Sequence, residues 1–246
     1  MAHAVVTIKA SDGNCPAHVF TAVDGAKAPA IVFFMDAGGI RHAVLDMGQR
    51  LADAGFLVLL PDLFYRYGAY GPFDPMEVLG GDFKAILGPL MATTGNATAA
   101  SDVNAFLAYL DSRPDVVGSK VGAVGFCMGG GMAITTAAAR PDRFAAVASF
   151  HAGNLATDAS DSPHTYAADL QAELYVAAAE NDASYPPEMA FRFEQALDDA
   201  QVAYIAETYP AAHGWMKPDF PSFEIEAAER GWNEMLKFFS RILKTP

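Results

Sequence analysis

One cysteine lies in a sequence pattern that suits a catalytic nucleophile. The segment Val121–Gly131 reads as a strand, a tight turn and a helix, with Cys127 at the turn between Gly125 and Gly129. A nucleophile on such a turn needs small residues two positions before and after it, because larger ones would make the two backbones collide. The helix N-terminus would also stabilise a thiolate. The pattern predicts a nucleophilic Cys127, and the alternative is a buried, inert cysteine in a segment rich in Ala and Gly.

Two later residues could complete a catalytic triad. When a nucleophile sits on a turn of this kind, an acid and then a histidine follow it along the chain. Asp182 comes just after the predicted strand Glu173–Ala179, and His213 comes after the predicted strand Tyr204–Thr208. Taken singly, the histidine could be a solvated loop residue and the aspartate a helix cap. Because three placements agree, we predict that Asp182 orients His213 as the base, with Glu180 as the alternative acid.

The elements that must position these residues alternate along the chain. Apolar runs without alternation are typical of strands buried on both faces, as in parallel sheets. Such strands are predicted at Ala30–Met35, Phe56–Leu60, Val121–Phe126, Ala145–Phe150, Glu173–Ala179 and Tyr204–Thr208. Helical patterns between most of them predict an α/β fold, with a mostly parallel central sheet and helices on both faces. Reactive side chains should then collect beyond the carboxyl ends of the strands.

The helices are predicted from apolar residues at helical spacing. They are expected around Val44–Ala54, Val103–Leu110, Gly129–Ala139, Met189–Leu197 and Ile225–Ile242. Ser101 is the predicted N-cap of the second of these helices.

Two segments of the chain do not follow this alternation of strands and helices. Val5–Lys9 and Ala17–Ala22 are predicted to form an opening hairpin. Residues 64–95 are a long connection rich in Gly, Pro and aromatic residues, with a short helix predicted at Met76–Leu79 or Phe83–Leu87. Long connections are often functional, so this one is predicted to be a rim or partial lid. It is too short for a cap domain, and residues 1–246 are predicted to be a single domain.

Composition limits the classes of partner and compartment. The 246 residues are 52% hydrophobic and carry a net charge of −13, which disfavours nucleic acid and anionic membranes as partners. The two cysteines form no CxxC motif, and residues 1–10 show no secretory signal. The longest apolar runs are strand-sized, well below the roughly 20 residues of a membrane span. We therefore expect a cytoplasmic protein that acts on a small molecule, as a monomer or weak dimer.

The sequence resembles the dienelactone hydrolase family over nearly the whole chain. The resemblance is carried by Gly125–Gly130, Pro61–Arg66, Asn181–Asp182, His213–Trp215, Trp232 and Phe238–Phe239. It implies an α/β-hydrolase fold and a Cys-His-Asp triad that opens a small ester or enol-lactone, without a cofactor or metal.

Further roles follow from the resemblance. The family has a glutamate near the resting cysteine that controls when the thiol ionises, and Asp36 takes that place here. The amide of Ala37 would form an oxyanion hole with the amide of Met128, which directly follows the nucleophile. The alternative for Asp36 is a carboxylate that caps its own loop.

The resemblance also implies residues that bind the substrate. The family's namesake substrate carries a carboxylate bound by arginines, and one of those positions falls on Lys217. Candidates for the other are Arg66, Lys84 and Arg41. His151 could line the pocket, and the aromatic residues Tyr65, Tyr67, Tyr70, Phe73 and Trp215 indicate a more apolar pocket or simply pack the loop. Lysine lacks the bidentate fork of arginine, so dienelactone itself is in doubt.

Three functional hypotheses remain open at this stage. The first is a dienelactone hydrolase-like enzyme with a cysteine acyl-enzyme. The second is a broad carboxylesterase with side activity on activated phosphotriesters. The third is a non-catalytic α/β domain whose cysteine senses oxidants.

Overall fold

One eight-stranded sheet forms the centre of the molecule. The computed structural model describes residues 3–21 and 26–244. The strands are β1 His3–Ala10, β2 Gly13–Phe20, β3 Ala30–Phe34, β4 Leu57–Pro61, β5 Val121–Phe126, β6 Phe144–Phe150, β7 Glu173–Asn181 and β8 Tyr204–Ala212. They lie in the order β1-β2-β4-β3-β5-β6-β7-β8. Strands β3 to β8 are parallel, whereas β1 and β2 form an antiparallel hairpin that joins the sheet through β4. The mostly parallel sheet and the opening hairpin are thus confirmed, although Ala22 lies outside the described residues.

Helices cover both faces of the sheet. They are α1 His42–Asp53, α2 Pro75–Gly80, α3 Phe83–Met91, α4 Asn96–Asp111, α5 Met128–Ala139, α6 Pro187–Asp199 and α7 Ile225–Leu243, with a 3₁₀ helix at Pro163–Asp169. The crossovers through α1 and α5 run in opposite directions along the sheet, so right-handed connections place these helices on opposite faces. Helix α7 shares a face with α1, to which it is joined by the Arg50–Glu229 ion pair. None of the helices described here is long and apolar enough to cross a membrane.

The core explains why the strands read as continuous apolar runs. Every residue of β3, β4 and β5 is buried, because helices pack against both sides of these strands. Since β3, β5, β7 and β8 are parallel, their carboxyl ends lie along one edge of the sheet. Residues that follow these four strands are therefore brought together.

The start of α4 differs from the prediction. The helix begins at Asn96, so Ser101 is not its N-cap but lies inside it, with its hydroxyl donating to the Thr98 carbonyl at 2.8 Å. The hydroxyl of Thr98 accepts the Gly95 amide at 2.7 Å, and the Asn96 side chain donates to the Asp161 carbonyl at 3.0 Å. These contacts stabilise an additional helical turn before Ser101.

Candidate active site

Cys127 lies on a strained turn between β5 and α5. Its backbone has φ 55° and ψ −120°, a conformation that is rare for residues other than glycine. A Cβ atom on Gly125 would collide with the Gly129 carbonyl, and one on Gly129 would collide with the Phe34 carbonyl of β3. Both glycines are therefore required by close backbone approach, as their spacing predicted. The turn leaves the cysteine partly exposed at the carboxyl edge of the sheet.

A histidine and an aspartate continue from the cysteine in a hydrogen-bonded chain. Nε2 of His213, on the loop after β8, lies 3.1 Å from the Cys127 sulfur. Nδ1 of the same ring lies 2.6 Å from Oδ2 of Asp182, which follows β7. Glu180 is exposed. The structure thus brings together the three residues that the sequence proposed as a triad, with Asp182 rather than Glu180 in contact with the histidine.

Ser184 supports this chain and was missed by the sequence analysis. Its amide and hydroxyl donate to Oδ1 of Asp182 at 2.9 and 2.5 Å, which leaves Oδ2 for His213. An aspartate followed two residues later by serine is a common turn sequence, because the carboxylate accepts the later amide. The spacing of Asp182 and Ser184 could therefore have predicted this contact from the sequence.

The hydrogen bonds set the charge states of the histidine and the aspartate. Burial lowers the pKa of His213, but its hydrogen bonds to Asp182 and Cys127 outweigh burial and raise the pKa to about 10. Burial raises the pKa of Asp182, but hydrogen bonds from His213 and Ser184 outweigh it and lower the pKa below its ordinary value. The histidine is thus held protonated near neutrality, between a carboxylate and a sulfur atom.

The other cysteine has a contrasting environment. Cys15 is fully buried in β2. Burial, together with the negative charges of Asp62 and Asp102, raises the pKa of its thiol to about 12. Cys15 therefore stays an unreactive thiol, whereas Cys127 faces an open cavity beside a cationic ring.

The cavity over Cys127 has a volume of about 370 Å³. Ala37, Gly38 and the triad residues line its floor, and the remaining wall is mostly apolar: Phe73, Pro75, Val78, Leu79, Phe83, Leu87 and Phe220. Helices α2 and α3 supply most of this wall. The sequence predicted one short helix at either of two places in residues 64–95, and the structure has a helix at each. This connection is therefore a wall of the cavity, in line with the predicted rim. Of its four tyrosine and phenylalanine residues singled out above, Phe73 alone lines this cavity.

A larger cavity of about 570 Å³ lies next to this one, between α1 and α7. It is lined by neither Cys127 nor His213 and shares only the Phe73 side chain with the first cavity. The smaller cavity is the candidate active site, because Cys127, His213 and Asp182 all line it.

The family of the chain is decided by comparison with known proteins. A model of the dienelactone hydrolase family matches residues 16–243. The chain belongs to this family. A proposed carboxymethylenebutenolidase of Synechocystis sp. is 27% identical over 246 residues, covering 98% of this chain and 97% of that protein.

Solved structures agree with this assignment. A proposed dienelactone hydrolase from Klebsiella pneumoniae has a TM-score of 0.86 at 23% identity, with 98% of both chains covered. A dienelactone hydrolase-like promiscuous phosphotriesterase from metagenomic libraries has a TM-score of 0.77 at 24% identity, covering 99% of this chain and 100% of that chain. The sheet order and these likenesses confirm the α/β-hydrolase fold, and the family confirms a hydrolase.

The carboxylate of Asp36 forms its hydrogen bonds with groups other than Cys127. Its buried carboxylate accepts hydrogen bonds from the Gly38 amide at 2.8 Å and from Nη1 of Arg41 at 2.8 Å, and Lys217 Nζ lies 2.8 Å from it. No hydrogen bond from Asp36 to Cys127 occurs within residues 3–21 and 26–244. Burial raises the pKa of Asp36, but Lys217 and Arg41 outweigh it and hold the pKa well below its ordinary value. The structure favours the alternative, a carboxylate that caps its own loop.

Three residues expected to bind substrate lie behind the site instead of in the cavity. Lys217 is fully buried, with its ammonium group on Asp36 and 4.4 Å from the Phe126 ring centre. Trp215 is also fully buried. The ring of His151 packs 5.3 Å from the ring of His213, and burial lowers its pKa well below the ordinary value. The prediction that these three residues line the pocket was wrong, because all three are fully buried and none of them lines the cavity.

The second cation predicted for a substrate carboxylate also lies elsewhere. Both Nη atoms of Arg66 donate to Asp102, at 2.9 and 3.0 Å, and its Nε donates to Asp12 at 2.7 Å. The Tyr65 hydroxyl donates to the same Asp102 carboxylate at 2.9 Å. Neither residue lines the cavity that holds Cys127. Both predictions were wrong, since no sequence pattern indicates that Asp102 pairs with Arg66 and Tyr65.

The two amides predicted for an oxyanion hole have suitable positions. Met128 is the first residue of α5, so its N–H belongs to the donors that a helix leaves unpaired at its start. Ala37 is the third residue after β3 and lines the cavity with Cys127. No cluster of three or more His, Cys, Asp or Glu side chains in the described part of the chain could hold a metal ion.

Proposed function

We propose that this member of the dienelactone hydrolase family hydrolyses small esters or enol-lactones through an acyl intermediate on Cys127. The observation that supports it best is the chain Cys127–His213–Asp182, with separations of 3.1 and 2.6 Å, lining a substrate-sized cavity. The pKa of His213, raised to about 10, favours the pairing of an imidazolium with a thiolate.

Acylation uses the thiolate as nucleophile. The Cys127 sulfur attacks the acyl carbon, and the carbonyl electrons move onto the oxygen. The amides of Met128 and Ala37 donate to this oxyanion, each contributing on the order of 3 kcal/mol to the transition state. As the carbonyl reforms, the C–O bond to the leaving group breaks, and Nε2 of His213 gives its proton to the departing oxygen.

Deacylation regenerates the resting pair. Neutral His213 takes a proton from water, and the water oxygen attacks the thioester carbon. The C–S bond then breaks, the carboxylic acid leaves, and Cys127 returns as a thiolate beside the protonated histidine. Asp182 fixes the ring tautomer and stabilises its charge in both half-reactions.

Mass spectrometry of the protein mixed with p-nitrophenyl acetate tests this proposal. We expect one acetyl group on Cys127 and a burst of p-nitrophenol, both absent in Cys127→Ala. Cys15→Ala is the matched control and should keep the burst, because Cys15 is buried and unreactive. Turnover that survives in folded Cys127→Ala would contradict the proposal. A Cys127 that resists acylation but oxidises reversibly would favour the redox-sensing alternative.

A second candidate activity is the hydrolysis of activated phosphotriesters. It is favoured by the structural likeness to the promiscuous phosphotriesterase described above. The same thiolate would attack phosphorus in place of the acyl carbon. Release of p-nitrophenol from paraoxon, measured beside the acetate ester, compares the two activities, and no release would exclude the second.

A further inference from the structure

The wall of the active cavity lacks a basic side chain that could bind a carboxylate. Within residues 3–21 and 26–244, no lysine or arginine lines it. The ionisable groups on its surface are Cys127, His213 and Asp182, which are hydrogen-bonded to one another. The protonated histidine is therefore already neutralised by its two neighbours.

Arg41 and Lys217, two cations predicted to bind a substrate carboxylate, are instead paired with acidic side chains. Arg41 binds Asp36 with Nη1 at 2.8 Å and Asp219 with Nε at 2.6 Å. Lys217 is fully buried behind the floor of the cavity and pairs with the same Asp36. Releasing either one for a substrate would remove one of the two cations that pair with the buried Asp36 carboxylate, which is unfavourable.

The segment over the cavity adds negative charge. Between residues 74 and 84 it carries Asp74, Glu77 and Asp82 against one lysine, Lys84. The lysine is exposed and does not line the cavity. With a net charge of −13 on the whole chain, an anion approaching this opening is repelled.

We infer that the substrates are esters or lactones with a neutral, apolar acyl group, and that a carboxylate-bearing acyl group is rejected. This inference rests on the proposed hydrolase function and specifies its substrate class. A carboxylate placed against the seven apolar wall residues would lose its hydration without gaining a cation. An alkyl chain of the same length would gain burial against the same surface.

Two esters that differ at one group test the inference. In p-nitrophenyl hexanoate the acyl chain ends in a methyl group, and in mono-p-nitrophenyl adipate a carboxylate replaces that methyl. We expect kcat/KM for the hexanoate to exceed that for the adipate by on the order of 100-fold. Equal values, or a preference for the adipate, would overturn the inference. If neither ester acylates Cys127, the proposed function itself fails, so the two failures are distinguishable.

The effect of ionic strength shows whether the ester preference comes from the apolar wall of the cavity or from the negative charge of the surface. Salt screens long-range repulsion but barely affects the desolvation of a carboxylate inside a cavity. A preference that persists at 0.5 M NaCl supports an apolar wall, and one that disappears would overturn this explanation. Rates with Cys127→Ala give the background hydrolysis of each ester.

A new cation at the rim gives a second test. Leu79 lines the cavity and is 41% exposed, so a longer polar side chain can be placed there without burying it. Leu79→Arg should raise the adipate-to-hexanoate ratio roughly fivefold over the uncharged control Leu79→Gln. Circular dichroism checks that both variants fold. An unchanged ratio in folded Leu79→Arg would mean that the lack of a cation in the cavity is not the reason why the enzyme prefers the hexanoate ester.

Discussion

The hydrogen bond between Asp182 and His213 controls the charge of the site. At 2.6 Å it joins a carboxylate with a lowered pKa to an imidazole whose pKa is raised to about 10. A group with a raised pKa stabilises the fold most below its unfolded value, 6.5 for histidine, and loses that contribution as pH rises to the folded value. The stabilisation should therefore fade between about pH 6.5 and 10.

Asp182→Asn tests this charge control. We expect kcat/KM to fall by roughly 10³–10⁴, because the histidine loses its tautomer and charge partner. The difference in unfolding free energy between wild type and variant should shrink as pH rises from about 6.5 to 10, measured by urea denaturation at several pH values. Glu180→Gln, which alters an exposed acid two residues away, should change neither quantity. A difference independent of pH would contradict this account of His213.

Which residues could be predicted depends on whether their partners are fixed by strand order. Cys127, Asp182 and His213 each follow a strand whose place in a parallel sheet the alternating pattern predicts. Lys217 and Arg66 were misplaced because their positions depend on pairing with acids far away in the sequence. One sequence does not reveal which of many carboxylates a cation will meet.

At the scale of elements, helices α2 and α3 decide the size of the active cavity. Phe73, just before α2, lines both this cavity of about 370 Å³ and the neighbouring one of about 570 Å³. The Phe73 ring stacks on the Tyr70 ring, with 6.0 Å between the ring centres. This contact holds Phe73 between the two cavities. If the proposed function holds, we expect the Phe73 side chain to limit the length of the acyl chain that this cavity accepts.

Phe73→Ala should join the two cavities. We expect the preferred p-nitrophenyl ester to shift to a longer acyl chain, because the added space is lined by Met47, Met216 and Trp232 among others. The measurement is kcat/KM across a series of esters of increasing length. Phe223→Ala, which changes only the larger cavity, should leave the preference unchanged. If wild type and Phe73→Ala prefer the same acyl chain length, Phe73 does not separate the two cavities as proposed.

The elements themselves were predictable where burial is continuous. The apolar runs of β3, β4 and β5 are buried at every position, so composition alone indicates them. The start of α4 was mistaken because contacts of Thr98 and Asn96 extend the helix beyond its apolar pattern. The 3₁₀ helix Pro163–Asp169 was not predicted, and it has too few turns to show a periodicity.

For the molecule as a whole, a network of four charged side chains, of which all but Asp219 are buried, links segments that carry the two sides of the site. Asp36 and Arg41 follow β3, beside the Ala37 amide, whereas Lys217 and Asp219 follow His213. Arg41 and Asp219 are 178 positions apart and only 2.6 Å from each other. The four side chains carry two charges of each sign, so the network is balanced while all four remain.

Lys217→Met tests whether this balance stabilises the protein. Removing the ammonium group leaves an excess negative charge in the core, so we expect a loss of about 3 kcal/mol in unfolding free energy, measured by urea denaturation. Lys237→Met is the matched control: its lysine pairs with Glu234 on the surface, 72% exposed, and should cost less than about 0.5 kcal/mol. Because Asp36→Asn removes the excess charge, the double variant should lose less than the sum of its single variants. Additive losses would mean that Lys217 stabilises the fold by packing rather than through its pairing with Asp36.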